Sequence, residues 1–547
     1  MNRLLIALVL IAATTHLFAQ LDFVHYMPPM HARIDWGPQY LYLSTPETIP
    51  FPVHLRDGSG NLITTVNISN TQPFKYDIGV TNTTFTLVPE SDLHVALKNR
   101  GIVIDGEKKF YAYFRAHSAN QAQASDLTCK GRAALGKTFR IGHLLQEADP
   151  SSNSRSNFVG IMASEDSTEV TFSGFDASTK FRKNGADVPS TGSEKILLQK
   201  GECVVFAQYL NNNASNQPPN GFMGGLVEST KPIAINSGSW CGSPVNSGDK
   251  DSGIDQIVAI ENVGKEYILC KGNGSPTLER PIIVAHFNNT QIFLNGSTSP
   301  VTTLNAGQFY AVQSSAFSAD NNLHIRSSQK IYVYQMIGGA PAGTSNEFRT
   351  EGLIFVPPIS CSIPNTIDNI FEPNAIGAII FNGGVMITAM RDSLVTVLVD
   401  GVAANLGAAG TVQGNPDFVT YRNLTLFNSS TKVNKISIVA QGAVQVAMYG
   451  QNNVFAPNVM NPDSKNGNQA FTIFSRDNLP IHRLAIFDRW GERIFEAHDI
   501  ETNVLEQGWN GTFRGQRVAT GVYVFYAELE VLPGKTVILK GDVTVLY

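Results

Sequence analysis

The chain has 547 residues, more than a single hydrophobic core fills, so at least two domains are expected. Hydrophobic residues make up 43% and charged residues 16%, below the ~25% of an average globular protein, which suits strands and turns and excludes a disordered chain. The formal charge of -5 comes from 40 basic and 45 acidic residues without long runs, so neither nucleic acid nor an anionic membrane is expected as a partner.

At the N-terminus Arg3 precedes an apolar run over residues 4–13, and a short stretch ends at Ala19. This pattern predicts a signal peptide over residues 1–19, cleaved before Gln20. Its apolar core is shorter than the ~20 residues of a membrane span, and no later run is long and uninterrupted, so no integral membrane segment is expected after cleavage. His25 and His31 flank a Met-Pro-Pro-Met turn and read as surface or turn residues, since two histidines without a third ligand do not make a metal site. Five cysteines follow, Cys129, Cys203, Cys241, Cys270 and Cys361. None forms a CxxC pair. Two disulfides with one leftover thiol, or a set of buried free thiols, both fit.

Helical periodicity is scarce and confined to residues 92–98 and 141–147. Residues 131–138 fit GxxxxGK[ST] letter for letter, ending in Gly136, Lys137 and Thr138. A phosphate cradle needs a buried strand before the loop and a helix after it, whereas Phe139 and Arg140 look extended, so residues 130–142 read as a connector between β-units. The glycines would supply unusual backbone angles there.

One phrase recurs through the middle of the chain. Its first half is an apolar strand containing Ala163, Ala285 or Ala389, then a polar turn and a second strand, over residues 161–172, 282–294 and 386–399. Each reads as a hairpin. Its second half is a small polar turn before an alternating strand: residues 229–233, 327–331 and 440–444. A degenerate fourth copy opens the mature chain, with residues 40–44 early and 105–113 late. Short strands divided by Gly, Asn, Ser and Asp predict an all-β region of repeated units, tandem sandwiches or a propeller-like array, with the unequal spacing favouring sandwiches. Asp249, Asp251 and Asp255 fall in a Gly/Ser-rich stretch and read as a solvated turn.

The C-terminal segment alternates most clearly: Val537, Leu539, Val543, Val545 and Tyr547 share one face, with Lys540, Asp542 and Thr544 on the other. Upstream strands at residues 484–488, 493–496 and 522–529 complete a small immunoglobulin-like sandwich, with Trp490 and Trp509 as core anchors.

Its phrases resemble the gliding-motility-associated C-terminal domain, a type B sorting domain of the type IX secretion system. They are Pro457 and Asn458 in the opening, Arg489, Trp490 and Gly491 in a strand and turn, then Gly508, Trp509 and Gly511. Gly521 and Tyr523 follow, and Lys540 and Gly541 begin the last phrase. The resemblance implies recognition by the outer-membrane translocon. The family's acidic opening loop is replaced here by Asp463, Ser464, Lys465, Asn466 and Gly467, too few carboxylates for a calcium cage. A second resemblance, to the IgGFc-binding-type domain, covers residues 26–450 through residues 40–46, 130–139, 163–168 and 231–233. It implies an extracellular interaction module with a protein or glycan ligand.

The expected organisation is therefore a signal peptide (1–19), an IgGFc-binding-like repeated β region (20–455) and a sorting domain (456–547). The functional expectation is a noncatalytic, adhesin-like surface or secreted protein that needs no metal or cofactor. The alternative is a polymer-degrading hydrolase carrying the same export domain, whose paired carboxylates a sequence does not display.

Overall fold

The computed structural model describes residues 20–33, 36–81, 83–118, 123–147, 154–210, 217–244, 251–339, 351–360, 363–429, 431–451, 454–455, 459–464, 468–475, 478–532 and 535–547. The signal-peptide segment, Asp249, Cys361, Pro457, Asn458 and Lys465 lie outside the described residues. Among the described residues the chain is all-β, with short 3-10 turns and no α-helix, and no helix is long and apolar enough to cross a membrane.

The first unit contains β1 (Asp22–Met27), β2 (Gln39–Ser44), β3 (Phe51–Asp57), β4 (Leu62–Ile68), β5 (Phe74–Gly79), β6 (Ile102–His117) and β7 (Ala124–Thr128). Its organising element is the 16-residue β6. The first half of β6 lies between β1 and β3, and the second half between β2 and β7.

The second unit repeats this plan with β8 (Gly136–Arg140), β9 (Ser156–Ala163) and β10 (Thr168–Ser173), a side hairpin of β11 (Lys180–Lys183) and β12 (Ala186–Pro189), then β13 (Ser193–Leu198), β14 (Cys203–Tyr209), β15 (Leu226–Gly242) and β16 (Asp251–Ile257). Here β15 is the long strand, between β8 and β10 in its first half and β9 and β16 in its second. The third unit has β17 (Gly264–Cys270), β18 (Pro281–Ala285), β19 (Thr290–Leu294), β20 (Thr302–Leu304), β21 (Phe309–Ala311), β22 (Asn322–Ile337) and β23 (Gly352–Phe355). Its long strand β22 is placed in the same way.

The fourth unit departs from the plan. It comprises β24 (Thr366–Phe371), β25 (Ala375–Ile376), β26 (Ile379–Ile380), β27 (Asn382–Met390), β28 (Val395–Val399), β29 (Val402–Ala403), β30 (Gly410–Thr411), β31 (Phe418–Phe427), β32 (Lys435–Ala440) and β33 (Val444–Gln451). The long strand is broken between β32 and β33, so the unit falls into two four-stranded sheets beside the small β25-β26 pair, and no strand lies on the far side of β33 among the described residues.

The recurring phrase is thus a real structural repeat, but its halves pair with each other rather than within themselves. Ala163 faces Ile233, Ala285 faces Ile331 and Ala389 faces Val444. The expected hairpins do not form. In the second and third units the two strands of the first half follow one another along the same side of the long strand, each antiparallel to it, and in the fourth they belong to different sheets. A tight turn between two apolar strands is local; the partner of each strand is set by a segment about sixty residues away, here β15 for β9 and β10.

Neighbouring units share cores, and the sharing closes on itself. Trp36 of the first unit meets Trp240 of the second edge-on at 4.3 Å, inside a cluster that includes Phe158, Met162 and Val205. A second cluster joins Phe139 and Ile161 to Ile282, Tyr332 and Tyr334. Cys270 and Ile337 pack on Met386 and Tyr449, and Tyr42, Tyr111 and Tyr113 pack on Ile370 and Val385, returning the chain from the fourth unit to the first.

Neither expected helix exists. After a 3-10 turn at Glu90–Asp92 the chain passes through turns and bends, with His94 at φ 62°, and Leu97 bridges Cys203. Residues 141–147 are without regular structure, tied to distant segments by Ile141 N–H to Gly225 O at 2.9 Å and Glu147 N–H to Ser243 O at 3.0 Å. Partners on another strand outcompete weak local propensity. His25 and His31, expected at the surface, are buried at 0% and 1% exposure, His25 against Phe110 within the first unit and His31 against Tyr209 of the second. Asp251 and Asp255 are strand residues of β16, buried rather than in a solvated turn.

The C-terminal domain has β34 (Val454–Phe455), β35 (Val459–Met460), β36 (Phe474–Ser475), β37 (Pro480–Phe487), β38 (Arg493–Glu501), β39 (Thr512–Phe513), β40 (Gln516–Arg517), β41 (Gly521–Leu532) and β42 (Lys535–Val545). A five-stranded sheet in the order β35-β42-β41-β37-β38 carries its core. Leu484, Ile486, Phe525, Leu539, Val543 and Val545 lie on the buried face against Phe471, Ile473 and Trp509.

Candidate functional site

Two places concentrate features that packing alone does not require: the hairpin tip of the C-terminal domain and the meeting point of the four β-units. At the tip, Asp488 Oδ1 accepts from Trp490 N–H at 2.9 Å and Glu492 N–H at 2.8 Å, and Gly491 adopts φ 85°, closing β37 onto β38. This turn projects Trp490 outward. At 81% exposure it is not the core anchor the sequence suggested, and Arg489 stacks over its ring at 5.2 Å. An indole held in water by a well-bonded turn is a feature of recognition surfaces rather than of cores.

Trp509 does anchor the core. It is fully buried, donates Nε1–H to Thr512 O at 2.9 Å and packs edge-on against Tyr523 at 5.3 Å. The flanking glycines serve that placement: a Cβ on Gly508 would lie 2.3 Å from Phe471 O, and one on Gly511, at φ 77°, 2.7 Å from Pro462 Cγ. Tyr523 OH donates to Ala519 O at 2.8 Å. Gly521 starts β41 facing open space, and Lys540 and Gly541 lie in β42 opposite Tyr526 and Phe525, with Lys540 exposed. Asp463 is held by Arg517 at 2.5 Å, and this ion pair keeps its carboxyl below the usual range. Tyr547 continues the apolar alternation but is 42% exposed, its hydroxyl on Val518 O at 2.9 Å, because the strand has ended at Val545.

The phosphate-loop pattern has a packing explanation. Gly131 sits at φ 55° where a Cβ would meet Asp22 at 2.5 Å, and one on Gly136 would lie 2.1 Å from Ala259 Cβ. Lys137 is exposed on β8, a strand where a phosphate loop would need a helix.

At the meeting point, β7, β16 and β23 are tied to one another by side chains. Ser252 Oγ lies 2.9 Å from Ser125 Oγ, and Asp251 Oδ2 accepts from Glu351 N–H at 2.9 Å. Beside them is a cavity of about 560 Å3, lined by residues of all four units. Its walls are largely apolar, with Leu21, Ile354, Ile370 and Met386 among them, and it is within the size range of ligand pockets.

Asp126 is the polar group set apart there. It faces Arg115 across the β6–β7 ladder, yet Arg115 is drawn to the fourth unit, donating to Glu372 O and to Ala375 O at 3.1 Å and stacking on Tyr42 at 4.4 Å. Asp126 is therefore reached by water from the cavity while surrounded by protein. Burial pushes its carboxyl pKa upward against the pull of Arg115, with Asp255 adding to the rise and Lys130 opposing it. The buried Tyr113 hydroxyl, also at the cavity wall, has no hydrogen-bond partner among the described residues. The thiols are not poised for chemistry: Cys129 and Cys270 are free and buried, which pushes both up to about 12.

Sequence reading missed this group because Asp126, Arg115 and Tyr113 belong to no spaced motif. The available signal was a carboxylate inside a strand, Asp126 between buried Ser125 and Leu127.

Comparison with known proteins agrees with this architecture. Residues 454–543 match the CHU_C Type IX secretion signal domain, so the chain carries that signal domain. No curated protein sequence matches. Among solved structures, a tetra-tandem repeat in the extending region of a large adhesion protein is 10% identical, covers 74% of this chain and 98% of its own, and superposes with a TM-score of 0.13. Sidekick-1 immunoglobulin domains 1-5 are also 10% identical over 96% of this chain and 99% of theirs, with a TM-score of 0.15. Neither superposition reaches the level of a shared fold. Residues 124–450, more than half of the chain and running from β7 into β33, match the IgGFc binding protein family, and the chain belongs to that family.

Proposed function

We propose that this is an adhesin-like, noncatalytic binding protein of the cell surface or medium, exported by the type IX secretion system through its C-terminal domain. The observation that carries the reading is the joining, in one chain, of an IgGFc binding protein family region to a type IX secretion signal domain. The repeated units offer a broad rigid scaffold for loops that contact an extracellular protein or glycan. Family membership by itself transfers no ligand, antibody included.

The test is binding of the mature full chain to arrays of extracellular proteins and glycans, followed by titration of each hit. Saturable binding without turnover supports the proposal. Release of cleaved product from any arrayed polymer, lost on substituting a pair of carboxylates, would replace it with a hydrolase.

A further inference from the structure

In the first three units the second half of the long strand has two neighbours: β2 and β7, β9 and β16, β18 and β23. Its counterpart in the fourth unit, β33, pairs with β27 alone among the described residues. The registers show what is absent. Ala285 faces Ile331 as Ala389 faces Val444, so Ala447 and Gly450 hold the places of Tyr334 and Ile337. Tyr334 and Ile337 pair with Phe355 and Gly352 of β23; Ala447 and Gly450 have no such partner among the described residues.

The chain's own continuation is committed elsewhere. In units one to three the seventh strand comes next after the long strand, whereas after Gln451 the chain enters β34, which pairs with β36 in the C-terminal domain.

The edge of β33 also has the chemistry of an open ladder. Val444 N–H donates to Pro364 O at 2.8 Å, on the side away from β27. By strand alternation Val446, Met448 and Gly450 turn their backbone groups to that same side. No hydrogen bond from these amides to a further strand occurs among the described residues. Val446 and Met448 are only partly buried. Every residue from 444 to 450 lines the 560 Å3 cavity. A strand that turned one face to the cavity would contribute alternate residues; a continuous run means that it presents its edge.

We propose that this cavity is the slot of the absent seventh strand, and that an extended segment of a partner protein fills it, pairing antiparallel with β33. The direction follows from the three occupied slots, where β7, β16 and β23 are all antiparallel to their long strands. Backbone hydrogen bonds supply the affinity and the apolar walls select alternate side chains, the mode of β-strand addition. Asp126 favours a basic residue on the entering strand. Residues 444–450 offer roughly 20 Å of edge at about 3.3 Å per residue.

The proposal deepens the binding-protein reading and rests on it, but protein or glycan binding found on arrays would survive its failure. The probe is a fluorescent peptide with the sequence of residues 351–357, which contains β23, titrated into the mature full chain beside the same peptide N-methylated at one central amide. Hydrogen exchange at Val446 and Met448 is followed in parallel. Saturable binding, slowed exchange at both amides and a loss of at least about tenfold on N-methylation support the proposal. The Val446→Pro variant, which removes an outward amide while sparing the β27 ladder, should lose a similar factor at an unchanged melting temperature. Absence of binding up to about 1 mM, or binding indifferent to both N-methylation and Val446→Pro, overturns it. A dimer that Val446→Pro converts to monomer would also overturn it, since the occupant is then a second copy.

Discussion

The carboxylate of Asp255 in β16 joins three units at once: Oδ1 accepts from Lys130 Nζ at 2.6 Å, after β7, and Oδ2 from Phe355 N–H at 2.8 Å, in β23. Burial pushes this carboxyl upward, while Lys130 and the amide of Phe355 favour its charged form. Removing one partner of such a buried pair leaves the other charge and an amide without their acceptor. Asp255→Ala should therefore cost about 3–5 kcal/mol, read as a lower urea midpoint of the mature protein. A loss under about 0.5 kcal/mol would show the three units to be held by apolar contacts alone.

The two tryptophans of the C-terminal domain should respond in opposite ways. Trp509→Ala removes a fully buried indole and should destabilise that domain by about 3–5 kcal/mol. Trp490→Ala should leave stability within about 0.5 kcal/mol, because the ring is 81% exposed. Export assayed in a type IX-competent host should nonetheless fall for Trp490→Ala if the tip touches the translocon. Normal export of a normally folded Trp490→Ala protein would remove the tip from recognition.

His25 gives a pH signature. Its Nε2 donates to Phe110 O at 2.9 Å, and burial pushes its pKa down from 6.5 to about 4. The unfolded chain thus takes up a proton that the folded chain refuses. This contribution is absent above pH 6.5 and grows as a penalty while pH falls to about 4, to about 3 kcal/mol. The stability of His25→Gln should fall less steeply than wild type between those values, measured by urea unfolding at intervals of pH. Parallel slopes would mean that His25 titrates normally in the fold.

Export should depend on the last strand. Deleting residues 540–547 takes Val543 and Val545, both fully buried, out of β42 and unpairs β35 from the sheet. Cells producing residues 1–539 or 1–455 should retain the protein in the periplasm, whereas the full chain reaches the surface or medium, as fractionation would show. Equal release of either shortened form would make the C-terminal domain a binding module instead.

Lys137→Ala should change neither stability nor any ligand binding, since the side chain is exposed on β8. ATP binding that disappears in this variant would restore the phosphate-loop reading.

What the sequence determined is what short-range chemistry controls. Alternation located β37, β41 and β42, turn residues separated the strands, and the phrase carrying Ala163, Ala285 and Ala389 marked the repeated units before any pairing was visible. Tertiary structure decided which strands pair, because a strand's two edges are chemically alike and its partner is chosen by segments far along the chain. It also decided exposure. Trp490 and Trp509 look equally suited to a core, but one sits on a turn closed by Asp488 and the other beneath the sheet. His31 and Asp255 are buried where successive units close on one another, and polar residues at such seams carry no periodic signal. The open edge of β33 was equally invisible: it is the absence of a neighbouring strand among the described residues, which only the three completed units reveal.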